Sequence, residues 1–270
     1  MLNKTRSLGI AIGVAGCLGA CGPAPGGATH GGRGAVGSGA EVGYTPPPSV
    51  TGAQRLTAGR VLLIGTAAPM ATVRLASPSG QAVFAHSDRA GAWRLLLPPA
   101  KEVRLFGLSE PGQGRPVQAE GYVALTPGGL AAQLRAGSGA VALGPRPAAP
   151  EILAVDFDRK GGTVISGAAP DANPVALKVD GAAQEPVRVD PDGRFMAPLN
   201  EPLRPGSHVL AAATRQGAHG EATLTVSPAE PLVGGPFRAA LAGGGWRIDW
   251  LTPGGGVQST VLFDRQGGAS

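Results

Sequence analysis

Trp246, Arg247, Asp249 and Trp250 fall within one five-residue stretch. Together they carry what a sugar site needs, aromatic faces to stack on a ring and a charged pair to hydrogen-bond its hydroxyls. In a chain with 4% aromatic residues, two tryptophans so close stand out. In an extended strand, Trp246, Ile248 and Trp250 share one face, with Arg247 and Asp249 on the other. A strand that buries its aromatic side shows the same pattern, and burial is the favoured reading because large aromatics are usually enclosed. The other chemistry-bearing residues are weaker. Asp190 and Asp192 beside Gly193, and Asp156 with Asp158, offer oxygen ligands, but the remaining ligands and terminal Glu of a calcium loop are missing, so they read as turn formers. Gly254, Gly255 and Gly256 lack the Lys-Ser/Thr and helix start of a phosphate loop and read as a hairpin turn. The four histidines, His30, His86, His208 and His219, are dispersed with no zinc spacing. Ser79 and Ser166 sit in turn and strand contexts, with no serine elbow around either. The expectation is no catalytic residue, no metal and no cofactor.

The two cysteines, Cys17 and Cys21, both lie at the N-terminus, after a basic start (Lys4, Arg6) and a short apolar run from Leu8. That run is too short to span a bilayer, which takes roughly 20 apolar residues, and it fits a secretory signal instead. Val14-Ala15-Gly16 precedes the first cysteine and Leu18-Gly19-Ala20 the second. This arrangement resembles the lipobox of a bacterial lipoprotein signal. The resemblance implies cleavage and acylation, palmitate included, at Cys21, with Cys17 as the alternative. Cys21 gives the longer apolar region and opens into a Gly/Pro stretch. Several acyl chains give stable membrane anchoring where one is marginal. Neither Gly22 nor Leu18 is the Asp that commonly signals inner-membrane retention in such lipoproteins, so the resemblance points to the outer membrane, facing the periplasm.

Loss of the signal removes Lys4 and Arg6 and takes the formal charge from +5 to +3. The arginines are scattered singly without interleaved aromatics, which excludes a nucleic-acid groove. The 45 glycines and 26 prolines punctuate many short strands, while 43% hydrophobic residues supply real cores, so disorder throughout is excluded. With both cysteines at the N-terminus, the folded body must be held by packing rather than disulfides.

Those residues must be positioned by strands. Residues 22–55 lack any period and read as a flexible tether, about 30 Å end to end over its Gly-rich part. From Arg60 onward, short apolar or alternating runs recur with turn signals every 8 to 12 residues, the mark of a sandwich or barrel. After the break Pro145 to Pro150 the pattern starts again at Ile152 as a divergent copy. Ala67-Ala68-Pro69 answers Ala168-Ala169-Pro170, and Val73 and Leu75 answer Val175 and Leu177. Asp88-Arg89-Ala90-Gly91-Ala92-Trp93 answers Asp190-Pro191-Asp192-Gly193-Arg194-Phe195, an acidic turn with Gly at its tip and an aromatic core residue after it. Thr66 stands opposite Gly167 in this alignment. The last forty residues read as three strands, Phe237 to Leu241, Trp246 to Trp250 and Val257 to Phe263, a meander that needs a neighbour to dock on.

The turn signature, with Val164-Ile165-Ser166-Gly167, Val179-Asp180-Gly181 and Pro205-Gly206-Ser207-His208, resembles bacterial Ig-like modules and their carboxypeptidase-regulatory-like relatives. The expected fold is all-β: signal 1–21, tether 22–55, Ig-like sandwiches over 56–144 and 151–228, and a C-terminal meander over 236–265. The resemblance implies a non-catalytic structural or protein-interaction module of the cell envelope with a protein partner. The alternative is a module binding envelope carbohydrate or peptidoglycan through Trp246 and Trp250.

Overall fold

The computed structural model describes residues 46–169 and 174–263. Cys17, Cys21 and residues 22–45 of the expected tether lie outside them. In chain order the strands are β1 (Ser49–Arg55), β2 (Val61–Thr66), β3 (Thr72–Ala76), β4 (Ala82–His86), β5 (Ala92–Leu97), β6 (Arg104–Glu110), β7 (Val117–Gln118), β8 (Tyr122–Leu125), β9 (Ala131–Leu134) and β10 (Val141–Ala142). They continue as β11 (Glu151–Asp158), β12 (Thr163–Ala168), β13 (Ala176–Val179), β14 (Ala182–Ala183), β15 (Arg194–Pro198), β16 (Gly206–Ala213), β17 (His219–Val226), β18 (Phe237–Ala242), β19 (Gly245–Leu251) and β20 (Val257–Leu262).

The strands form two Ig-like sandwiches. In the first, a sheet of order β1-β2-β5 faces one of order β4-β3-β6-β8. In the second, β11-β12-β15 faces β14-β13-β16-β17. Three strands thus oppose four in each copy, with the chain crossing between sheets as in a Greek key. Each copy has its own additions. The first extends its four-stranded sheet through β9 and β10, and the second extends its three-stranded sheet through β20, β19 and β18. The C-terminal meander is therefore continuous with the second sandwich, because β20 pairs with β11 from Ala154↔Leu262 to Asp158↔Gln258.

The repeat holds residue by residue, with one correction. Val50 pairs with Gly65 and Ile152 with Gly167, and each ladder then slips by one residue, before Gly52 and before Ala154. Gly65 next faces Trp93 and Gly167 faces Phe195. So Gly65, and not Thr66, stands where the second copy has Gly167. A Cβ at Gly65 would lie 2.3 Å from the Trp93 ring, and one at Gly167 2.2 Å from the Phe195 ring. No side chain fits under either aromatic. Likewise Ala67 corresponds to Ala169, since each donates its N–H to the carbonyl of the turn glycine, Gly91 at 2.9 Å and Gly193 at 2.8 Å.

The acidic turns are built alike. Asp88 Oδ1 accepts from Ala92 N–H at 3.0 Å and Asp190 Oδ1 from Arg194 N–H at 2.8 Å, while Gly91 and Gly193 take φ of 83° and 77°. Asp158 repeats the device toward Gly162 at 3.0 Å. These aspartates are turn formers.

The expected tether, 22–55, runs too far. Residues from Ser49 are already strand, with Val50 and Ala53 buried. The slip at Thr51 breaks the period of two, which is why the segment does not read as a strand.

Candidate interaction site at the junction of the sandwiches

The described residues cluster as one unit, and three apolar cores explain why. Two lie inside the sandwiches, around Trp93 and around Phe195. The third lies between them, where Leu105, Ala124 and Leu134 of the first sandwich meet Ile248, Trp250 and Leu262 of the second. The aromatic face of β19 is buried here. Trp250 is 0% exposed, meets Tyr122 edge to face at 5.7 Å, and donates Nε1–H to Thr260 Oγ1 at 3.1 Å. Trp246 is half-buried against the same cluster. Trp250 thus offers no ring face for a sugar, and of the pair Trp246 and Trp250 considered as a stacking platform it belongs to the inter-sandwich core.

A buried polar hub sits beside this core. Asp156 is enclosed and its carboxylate accepts from Ala140 N–H of the first sandwich at 2.6 Å, from Gln258 Nε2 at 3.1 Å, and from the Thr260 hydroxyl. Gln258 reaches across too: its Oε1 accepts from Gly137 N–H at 2.9 Å, and its Nε2 donates to the Arg135 and Ser138 carbonyls at 3.2 and 3.3 Å. Burial pushes the Asp156 carboxyl up to about 6 against the pull of these bonds and of the Arg135 charge. The expectation that Asp156 forms a turn, as Asp158 does, is corrected: it is a buried mid-strand residue of β11, and sequence reading missed the hub. Its one signal is a carboxylate inside the apolar run Ile152 to Phe157.

Arg247 and Asp249 lie on the opposite face of β19. Asp249 is buried and accepts from Arg238 Nη2 at 2.7 Å, Arg247 Nε at 2.8 Å and Ser259 Oγ at 2.6 Å. Burial alone would raise its carboxyl, but these bonds and the Arg247 charge outweigh it and hold the group below the usual carboxylate range. Arg247 also bonds Ser227 and lies over the Phe157 ring at 5.3 Å. The adjoining cavity is small, about 200 Å³, and the guanidinium and carboxylate groups around it satisfy one another. The network ties the end of β17 to β19.

A cleft of about 1050 Å³ lies between the sandwiches, lined by parts of β1, β10, β12 and β15 and by Arg146 and Phe263. Arg146 clamps the second sandwich's acidic turn through the Asp192 and Pro191 carbonyls at 2.7 and 3.2 Å. Ser166 is on its wall, with a buried hydroxyl that has no partner. Ser166→Ala is therefore expected to stabilise the fold by about 1 kcal/mol, read as a higher urea midpoint; a lower midpoint would contradict the orphaned hydroxyl.

Of the histidines, His208 bonds Asp180 Oδ2 through Nδ1 at 2.7 Å and the Arg204 carbonyl through Nε2 at 2.8 Å. Partial burial opposes its charge, yet these two acceptors raise its pKa above the ordinary imidazole value. It pins the start of β16. Among the described residues no three His, Cys, Asp or Glu side chains gather as a metal site, and no helix is long and apolar enough to cross a membrane.

Strand order and junction define an all-β pair of tandem Ig-like sandwiches fused through a shared core. No family model matches the chain, and no curated protein matches it. Among solved structures it is similar to the central fibronectin-III array of RIM-binding protein, at 13% identity over 81% of this chain and 89% of that one, with a TM-score of 0.26. It is also similar to a structure described as giving insight into host cell surface retention of a 1.5-MDa bacterial ice-binding adhesin, at 10% identity over 82% and 89%, TM-score 0.22. Likenesses of this size leave the fold resting on the strand order itself.

Proposed function

We propose that this chain is a lipid-anchored cell-envelope protein that acts as a non-catalytic structural or protein-interaction module. The observation that carries the reading is the junction: an apolar core and a buried polar hub join the sandwiches into one stiff body. A stiff body on an anchored tether works by position. It holds a recognition surface at a set distance from the membrane and raises its local concentration there. The anchor is Cys21, with Cys17 as the alternative, in the outer membrane facing the periplasm, and the partner is an envelope protein. Burial of Trp250 removes the main support for a glycan site.

Two experiments test this. Labelling cells with an alkyne palmitate should mark the parent protein and fail on Cys21→Ser, which should also leave the membrane fraction. Loss of label only in Cys17→Ser would move the anchor, and label in neither parent nor variant rejects it. Cross-linking in intact cells followed by mass spectrometry should capture one reproducible protein partner. Recovery of cell-wall glycan alone would reverse the reading.

A further inference from the structure

We propose that the cleft between the sandwiches takes an extended acidic segment of the partner protein, added as a strand to the free edge of β15; this rests on the reading of the chain as an interaction module. Three sheet edges converge on the cleft. β1 is the outer strand of the first three-stranded sheet, β10 ends the first sandwich's long sheet, and β15 ends the second sandwich's six-stranded sheet. Residues of all three line it.

The ladders tell which main-chain groups are unspent. Arg194 exchanges both its main-chain groups with Asp190, donating to its carboxylate at 2.8 Å and accepting its N–H at 2.8 Å. These groups therefore point away from β12. Alternation along the strand then turns the N–H and C=O of Met196 the same way, to the open edge. Across the cleft, Leu143 N–H bonds the Ala131 carbonyl at 2.8 Å, so the main-chain groups of Ala142 turn away from β9. Such unpaired edges are templates for an added strand, where main-chain bonds give affinity and alternate side chains give selectivity.

The walls select the occupant. Leu153, Met196 and Phe263 supply apolar contact, while Arg55, Arg146 and Arg194 stand against Glu151 and Asp192. Arg146 spends its guanidinium on carbonyls, so its charge is not cancelled by a carboxylate. Among the described residues neither Arg55 nor Arg146 forms an ion pair. The rim is thus net positive, and carboxylates on the outward side chains of an incoming strand would meet it. A strand of five or six residues, roughly 17–20 Å long, is the natural length for such an edge.

The test uses the full chain in detergent and a fluorescein-labelled octapeptide of alternating Thr and Val carrying two Asp, followed by anisotropy at low salt. The acidic peptide should saturate and bind at least tenfold more tightly than the same peptide with Lys for Asp. Met196→Pro removes an edge N–H at a position where proline is tolerated, and it should weaken binding at least tenfold. Should that variant not fold, the parent protein with an acidic peptide N-methylated at alternate amides gives the same reading, an equal loss. Equal affinity for the Lys or N-methylated peptide, or photo-cross-links from bound peptide on β4 or β17 instead of β15, would overturn the cleft. A cellular partner captured on another surface rejects the cleft and leaves the module reading standing. Capture of no protein partner rejects the module reading itself.

Discussion

Trp250→Ala is expected to cost about 4 kcal/mol, the upper range for removing a buried aromatic, and to separate the melting of the two sandwiches. The indole is fully enclosed, packs on Tyr122 of the first sandwich and bonds Thr260 of the second. Truncation leaves a cavity where the two meet and removes the donor that Thr260 Oγ1 accepts from. In a domain pair of this size each kcal/mol moves the melting midpoint by roughly 2–4 °C, so a fall of roughly 8–16 °C should be seen. Calorimetry gives the sharper reading. The parent should melt in one transition because both sandwiches share a core, and the variant in two. A variant that still melts in a single transition, within a few degrees of the parent, would mean the junction does not couple them.

The second large effect concerns Asp156. Its folded-state pKa, pushed up to about 6 by burial from the ordinary aspartate value of 3.8, means the folded state holds a proton that the unfolded chain has released. Stability from this group is thus fully present below about pH 4 and is lost as pH rises through about 6. A difference of this size corresponds to about 3 kcal/mol. Other carboxylates, Asp249 and Asp180 among them, are shifted the opposite way, so the parent alone does not isolate the effect. The quantity to follow is the stability of the parent minus that of Asp156→Asn, from urea unfolding between pH 4 and pH 7.5. It should fall by about 3 kcal/mol as pH rises across that window. A flat difference would mean that folding leaves the carboxyl where it titrates in the unfolded chain, and one that rises with pH that the hub stabilises the ionised carboxylate instead.

Much of the architecture was legible in the chain because it is written in local chemistry. Asp88 and Asp190, each followed three residues on by a glycine and then by Trp93 or Phe195 two positions later, announce the same turn and the same core aromatic. Two sandwiches follow from counting that signature. What was not legible depends on pairing between distant strands. The ladder slip after Val50 hides β1, and the two Ala-Ala-Pro runs, one residue out of step with the rest of the repeat, draw the copy alignment off by one around Gly65. The pattern of β19 correctly separates an aromatic face from a charged one, but alternation alone does not say whether the aromatic face meets water, a sugar or another sheet. Only the pairing of β20 with β11 brings Trp250 against Tyr122. The polar hub escaped for a related reason. Asp156 beside Asp158 reads as a turn former, and nothing local marks Gln258 or Thr260, until Ala140 and Gly137 are laid over them.

The pairing of β11 with β20 also bears on how the protein reaches its folded state. Residue 154 lies opposite residue 262, so the second sandwich opens and closes its own large sheet with segments more than a hundred residues apart. The first sandwich contains every strand of both its sheets by Ala142 and can form as soon as that much chain has emerged. The second must wait for its last strand, and until then β11 carries an unpaired edge with Val155 and Phe157 incompletely covered. Long-range pairing of this kind slows folding, and waiting edges invite association with other chains. Synthesis therefore leaves a vulnerable interval that ends only when β20 docks, and a chaperone that shields β11 would act in that interval.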